Sequence, residues 1–264
     1  MKRIICDSAF FKNVLDTARQ VSDSIYKNKK WYIEWIHSPY NDINYGDNAW
    51  EYYYINPFKK ETFTEIGYGY TELKKLDTKN FRETMNLLLK KFIKLNENTK
   101  NIINDTVSKL EITNETLGVH IRKTDKHIAF EEPEFSRPLD TEIYIKYIDL
   151  HLPKYKNLFI ATDDSEELER IKTYVNHKHN KEVKFTDSFR SSGIKAIHKN
   201  YPEISGYKKG LDVLLDCYML SNCGFLIRST SNVSSTAQFL NLDLKHINVN
   251  EIECGDTREH EYNL

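Results

Sequence analysis

Four short polar segments, each following an apolar run, carry the side chains that could bind and activate an anionic ligand. In the first, Gly118-Val119-His120-Ile121-Arg122-Lys123-Thr124-Asp125-Lys126, alternation along a strand puts His120 and Arg122 on one face. Arg122 offers a planar, permanently charged fork that matches a diphosphate, and Lys123 and Lys126 add point charges beside Asp125. An Arg–Asp pair holding a loop, with a satisfied core histidine, is the other use of these residue types. In the second segment, Ala161-Thr162-Asp163-Asp164-Ser165-Glu166-Glu167, the spacing of Asp164 and Glu167 fits a capping box at a helix start. Asp163 has no such local role and could face the ligand.

The third segment is the long connection Thr186 to Gly193, where Arg190 could reach a phosphate and His198, beyond it, the cleft; either could equally face solvent. The helix after it carries Asp212 and Asp216 one turn apart on one face. A carboxylate on so apolar a helix needs hydrogen-bond donors, which either a guanine edge or a neighbouring backbone supplies. In the fourth segment Arg228-Ser229-Thr230-Ser231-Asn232 opens a helix. Four small polar residues after an arginine exceed what capping requires and suggest a cradle for phosphate at exposed N–H groups.

The elements that must position these residues are read from hydrophobic pattern. Candidate strands over 117–121, 158–161, 182–185, 225–227 and 246–249 alternate with helices over 141–151, 165–175, 209–222 and 233–240, which predicts a doubly wound α/β half. In such a sheet ligands bind beyond the carboxyl ends of the strands, where all four polar segments lie. The first half reads as a strand over 3–6, a helix over 11–26, a strand over 31–36, a Tyr- and Trp-rich stretch over 37–58, and two helices between 80 and 110. The aromatics over 40–58 could stack on sugar rings or pack in a core, and are assigned to the core. The polar run Thr113-Asn114-Glu115 marks a boundary between domains of residues 1–112 and 113–264.

Composition excludes several classes. The 38 basic and 39 acidic residues give a net charge of -1, which argues against a nucleic-acid partner. No stretch reaches the ~20 apolar residues of a membrane span. The four cysteines show no C-x-x-C spacing, so a zinc site or disulfide framework is not expected and a reducing, cytoplasmic compartment is. No G-x-G-x-x-G follows an early strand, which argues against a dinucleotide enzyme.

The motifs together resemble one family. Gly-Val-His-Ile-Arg-Lys-Thr-Asp-Lys at 118–126 is similar to the G-V-H-[VI]-R-R-T-D-K motif of the α1,6-fucosyltransferases and nodulation-factor fucosyltransferases. Ala161-Thr162-Asp163-Asp164 resembles their second motif, and Val213 to Ser221 followed by Phe225-Leu226-Ile227 and Ser229-Thr230-Ser231-Asn232 their third. The resemblance implies a GT-B-like fold, two Rossmann-like domains facing a cleft with the N-terminal one reduced. It implies a metal-independent, inverting transfer of fucose from GDP-fucose, with no separate cofactor, to a glycan or oligosaccharide. By the same resemblance His120 and Asp216 contact guanine, Arg122 the diphosphate, Ser231 and its neighbours the phosphates, and Glu131 or Glu132 serves as general base. Lys123 stands where the motif has a second Arg, and residues 7–12 lack the glycines found there in the family. A glycosyltransferase using another nucleotide sugar, and a non-catalytic binder of nucleotide sugars or glycans, are the competing readings.

Overall fold

The computed structural model describes residues 1–74, 80–123, 138–192 and 197–255. Two wholly parallel sheets organise the chain. The first has β1 (Lys2–Ile5) between β2 (Trp31–Glu34) and β3 (Glu65–Tyr68), with α1 (Phe10–Tyr26) crossing from β1 to β2. Two helices, α2 (Phe81–Lys91) and α3 (Glu97–Lys109), lead out of it. The second sheet contains β4 (Thr116–Ile121), β5 (Asn157–Thr162), β6 (Val183–Lys184), β7 (Phe225–Arg228) and β8 (Lys245–Asn248), in the order β6-β5-β4-β7-β8. Its helices are α4 (Thr141–His151), α5 (Ser165–His179), α6 (Ile197–Asn200), α7 (Gly206–Ser221), α8 (Asn232–Leu240) and α9 (Val249–Cys254).

Every residue of β4 and β5 is buried, as expected for parallel strands covered by helices on both faces. One apolar cluster packs α4 and α5 on one side of this sheet. The other cluster joins α7 and α8 to the first sheet, α2, α3 and the aromatic stretch, so a continuous core runs between the two halves. Most of the aromatic stretch is core, as expected: Trp50 and Tyr53 are fully buried, and Phe10 meets Trp35, Tyr40 and Tyr53 edge to face, but Tyr45 is exposed.

That stretch also seats α7. A Cβ on Gly210 would lie 2.7 Å from Tyr53 Cζ and 2.9 Å from Phe10 Cε2, so only glycine lets the helix come this close. Tyr53 Oη then donates to the Tyr207 carbonyl at 2.7 Å. From the other side Arg82 on α2 donates to the carbonyls of Gln238, Asn241 and Leu242. A cation there answers the unpaired carbonyls at the C-terminal end of α8.

The strand β3 was not foreseen. It is an edge strand that exposes Ile66 and Tyr68. Gly67 within it is packed by the side chains of Lys2 and Gln20, which leaves no hydrophobic alternation to read. Among the described residues no helix is long and apolar enough to cross a membrane.

Candidate active site

Strand order decides where the site lies. The chain leaves β4 toward β5 and β6, then returns to place β7 on the other flank of β4. The crevice between the carboxyl ends of β4 and β7 is therefore a topological switch point, where open α/β sheets bind ligands. His120 and Arg122 come from β4 and the residue after it, and Ser229 to Asn232 follow β7. Ser229 ties the two together. Its N–H donates to the His120 carbonyl at 3.1 Å, its hydroxyl lies 3.3 Å from His120 Nδ1, and it accepts from the Arg122 N–H at 3.2 Å. His120 is buried.

Arg122 does not stand alone at the crevice. One guanidinium nitrogen meets Asp163 at 3.1 Å, and the other oxygen of Asp163 accepts from the Lys123 N–H at 3.1 Å. Asp163, on the neighbouring strand end, thus aims the fork. The Lys123 side chain turns away and pairs with Glu167, which also accepts from the Thr141 hydroxyl at 2.6 Å. This departs from the capping box expected at α5. Asp164 does cap, accepting from Glu166 N at 2.8 Å and Glu167 N at 3.1 Å. The return bond is missing because the Glu167 carboxylate is taken by Lys123.

After β7 the expected cradle divides. Ser231 caps α8, accepting from Val233 N at 3.3 Å, and Asn232 is exposed at the first turn. Thr230 is held by Asn248 and Asn250, whose side chains fix the turn from β8 and α9. Arg228 is fully buried. It donates to Ser234 at 3.3 Å and, with the Gln238 amide turned so that both its ends are satisfied, to the Gln238 oxygen, while the Gln238 nitrogen donates to His246. Burial and the charges of Arg228 and Arg82 hold the His246 pKa down at about 4, so no second cation forms beside this buried one.

The loop after β6 closes over α7. Thr186 donates to Asp216, the Phe189 N–H donates to Asp212 at 3.0 Å, and Ser191 N–H reaches the Asp163 carbonyl at 3.0 Å. Arg190 turns back on this loop, donating to the carbonyls of Thr186 and Ser188 at 3.1 and 2.8 Å. Its charge also bears on Asp216. Burial pushes that carboxyl up to about 6, against the opposing pull of Arg190 and the Thr186 hydroxyl. Asp212 is a loop anchor, bonded to Phe189 and to Lys208 at 2.7 Å.

Asp125, Lys126, Glu131 and Glu132 lie outside the described residues, as does the side chain of His198. Sequence reasoning missed Thr186 and Tyr144. α4 brings the Tyr144 hydroxyl toward Ser229, and burial pushes its pKa up. Thr186 opens the third polar segment but is not marked there as a partner of Asp216, and Tyr144 stands in no motif; only the fold brings them in. Among the described residues no group of three or more His, Cys, Asp or Glu side chains could hold a metal ion.

Residues 70–237 match the family model of the alpha-(1,6)-fucosyltransferase N- and catalytic domains. The chain belongs to this family. It is a glycosyltransferase, and the matched span contains all the described residues of the crevice. Its fold is GT-B-like and similar to that of NodZ alpha-1,6-fucosyltransferase soaked with GDP-fucose, at 16% identity over 91% of this chain and 93% of that one, with a TM-score of 0.57. NodZ from Bradyrhizobium matches with the same TM-score of 0.57, identity and coverage. POFUT1 in complex with GDP is similar at 8% identity over 93% and 96% of the two chains, with a TM-score of 0.55. No curated protein sequence matches this glycosyltransferase at a significant level. The folds agree where sequences have diverged, since packing tolerates many apolar exchanges.

Proposed function

We propose that this glycosyltransferase moves fucose from GDP-fucose to a hydroxyl of a glycan or oligosaccharide, with inversion at the sugar carbon and without a metal ion. One observation carries the reading: Arg122 and the Ser229–Asn232 turn meet at a single switch point in a chain of the α1,6-fucosyltransferase family. The donor is supported by NodZ soaked with GDP-fucose and POFUT1 in complex with GDP, which share the fold. Residues 113–264 hold the donor in this reading, and residues 1–112 face the acceptor.

Ionised Asp216 accepts from the N–H groups of guanine, with His120 against the same base. Arg122, aimed by Asp163, meets a diphosphate oxygen, and the exposed N–H groups at the start of α8 meet another. The acceptor oxygen attacks the sugar carbon opposite the diphosphate. A carbon–oxygen bond forms to the acceptor as the bond to GDP breaks. The electron pair leaves on GDP, whose growing charge Arg122 and the helix start stabilise. The hydroxyl proton passes to a general base, a role given to Glu131 or Glu132. Asp125 and Lys126 complete the motif on the donor side.

A thermal-shift panel tests the donor. GDP and GDP-fucose at 100 times their dissociation constants should stabilise the fold by ~2.7 kcal/mol, with or without EDTA. A shift with UDP alone rejects the guanine reading. Loss of the GDP shift with EDTA rejects metal independence. Glu131→Gln or Glu132→Gln should abolish turnover while GDP still binds, and full turnover in both variants rejects the base assignment.

A further inference from the structure

A largely buried lysine stands on α7 with no side-chain partner among the described residues. Lys209 is only 8% exposed; its backbone N–H donates to the Ser205 carbonyl at 3.0 Å, but its side-chain ammonium makes no hydrogen bond or ion pair with any described residue, and exposed Glu203 acts on it at longer range. The other buried lysines among the described residues are answered, Lys2 by Asp23 at 2.6 Å and Lys184 by Glu111 at 3.3 Å. Burying most of a lysine side chain and leaving its amine unpaired costs free energy, so its retention needs a reason.

The helix defines where Lys209 looks. Gly206 and Gly210 face the first half, where a Cβ would lie 2.6 Å from the Tyr40 carbonyl carbon and 2.7 Å from Tyr53 Cζ respectively. Asp212 faces the loop after β6 through Phe189, and Asp216 faces it through Thr186. At about 100° per residue, Lys209 lies about 20° from Asp216 around the axis and about 60° from both Gly206 and Asp212. It therefore looks between the first half and the loop, above Asp216. At 1.5 Å rise per residue it stands about 10 Å nearer the helix start than Asp216. That offset is comparable with the reach from a purine edge to its distal phosphate. Meanwhile Lys123, at the position of the family motif's second Arg, is occupied by Glu167.

We propose that Lys209 is the second cation of the nucleoside-diphosphate site, its ammonium closing on a phosphate oxygen of a ligand whose base is held at Asp216. The assignment rests on the nucleotide-sugar reading given above. It gives the diphosphate two cations from separate elements, Arg122 from the end of β4 and Lys209 from α7.

Calorimetric titration of wild type, Lys209→Met and Lys209→Arg with GDP, UDP, guanosine and uridine tests it. Lys209→Met should weaken the bound nucleoside diphosphate at least tenfold and leave its nucleoside unchanged, and Lys209→Arg should keep most of the affinity. Unchanged diphosphate affinity in Lys209→Met overturns the proposal, and so does an equal loss for diphosphate and nucleoside. Amine-reactive labelling of the wild type needs no variant: diphosphate, and not nucleoside, should shield Lys209. Labelling that ignores diphosphate overturns the proposal even if Lys209→Met does not fold. Wild type that binds UDP and not GDP removes the guanine reading, while Lys209 is then judged on the UDP and uridine pair. Wild type that binds neither diphosphate overturns both.

Discussion

The Arg122 guanidinium and the Asp163 carboxylate meet at 3.1 Å across the ends of β4 and β5. Without ligand this is an ion pair holding a loop. With a diphosphate in the crevice the same contact orients a fork with further N–H donors to offer. The structural and functional uses of Arg122 are therefore compatible.

Arg122→Ala should lower kcat/KM for GDP-fucose by about 10²–10³-fold, the range for removing one preorganised donor. Arg122→Lys should recover little, because an ammonium cannot hold Asp163 and a phosphate in the same planar geometry. Asp163→Asn should cost less, since it slackens the aim and leaves the charge. Steady-state transfer assays measure all three, and an unaltered rate in Arg122→Ala removes it from the site.

Asp216 links the site to pH. Its carboxyl pKa is raised from 3.8 to about 6 on folding, mainly by burial. The raised value works against stability: the penalty is absent below about 3.8, grows through the window to about 6, and is full above it. Asp216→Asn should then raise the stability of the ligand-free protein at pH 7 by up to about 3 kcal/mol and leave it unchanged at pH 3.5. Binding runs the other way. GDP affinity should fall as pH drops below about 6, where Asp216 gains a proton and ceases to accept from two N–H groups. Denaturation at two pH values and a pH series of GDP titrations check both signs.

Ser231 caps α8. Ser231→Ala should cost about 1 kcal/mol of stability and Ser231→Gly only a few tenths. Weaker GDP binding in Ser231→Gly, with stability preserved, would separate a ligand contact from the cap. Urea denaturation and titration together make the comparison.

Gly210→Ala should destabilise by about 1–3 kcal/mol, because the added methyl meets Tyr53 and Phe10. Tyr53→Phe removes the bond to the Tyr207 carbonyl and should cost about 1 kcal/mol. The two sites touch, so their effects should not add, and a double-mutant cycle should return a coupling of about 0.5–3 kcal/mol.

Much of this was legible along the chain. The helix over 141–151 is present with those bounds, and the strands β4, β5 and β7 lie within a residue of their expected ends. Apolar runs bounded by polar strand ends are local patterns, and neighbouring residues suffice to specify them. The motif residues His120, Arg122 and Ser229 could be marked for the same reason, since the strand-end rule needs no knowledge of neighbours. What the sequence determined by itself was the kind of element and the chemistry at each end. The tertiary structure alone decided the order β6-β5-β4-β7-β8, and with it which two strand ends form the crevice. It also decided that Asp163 serves Arg122, that Glu167 takes Lys123, and that Arg228 is buried beneath the cradle. Those pairings join residues far apart in sequence. They depend on which flank of the sheet each crossover takes, a choice made by packing and not by local preference.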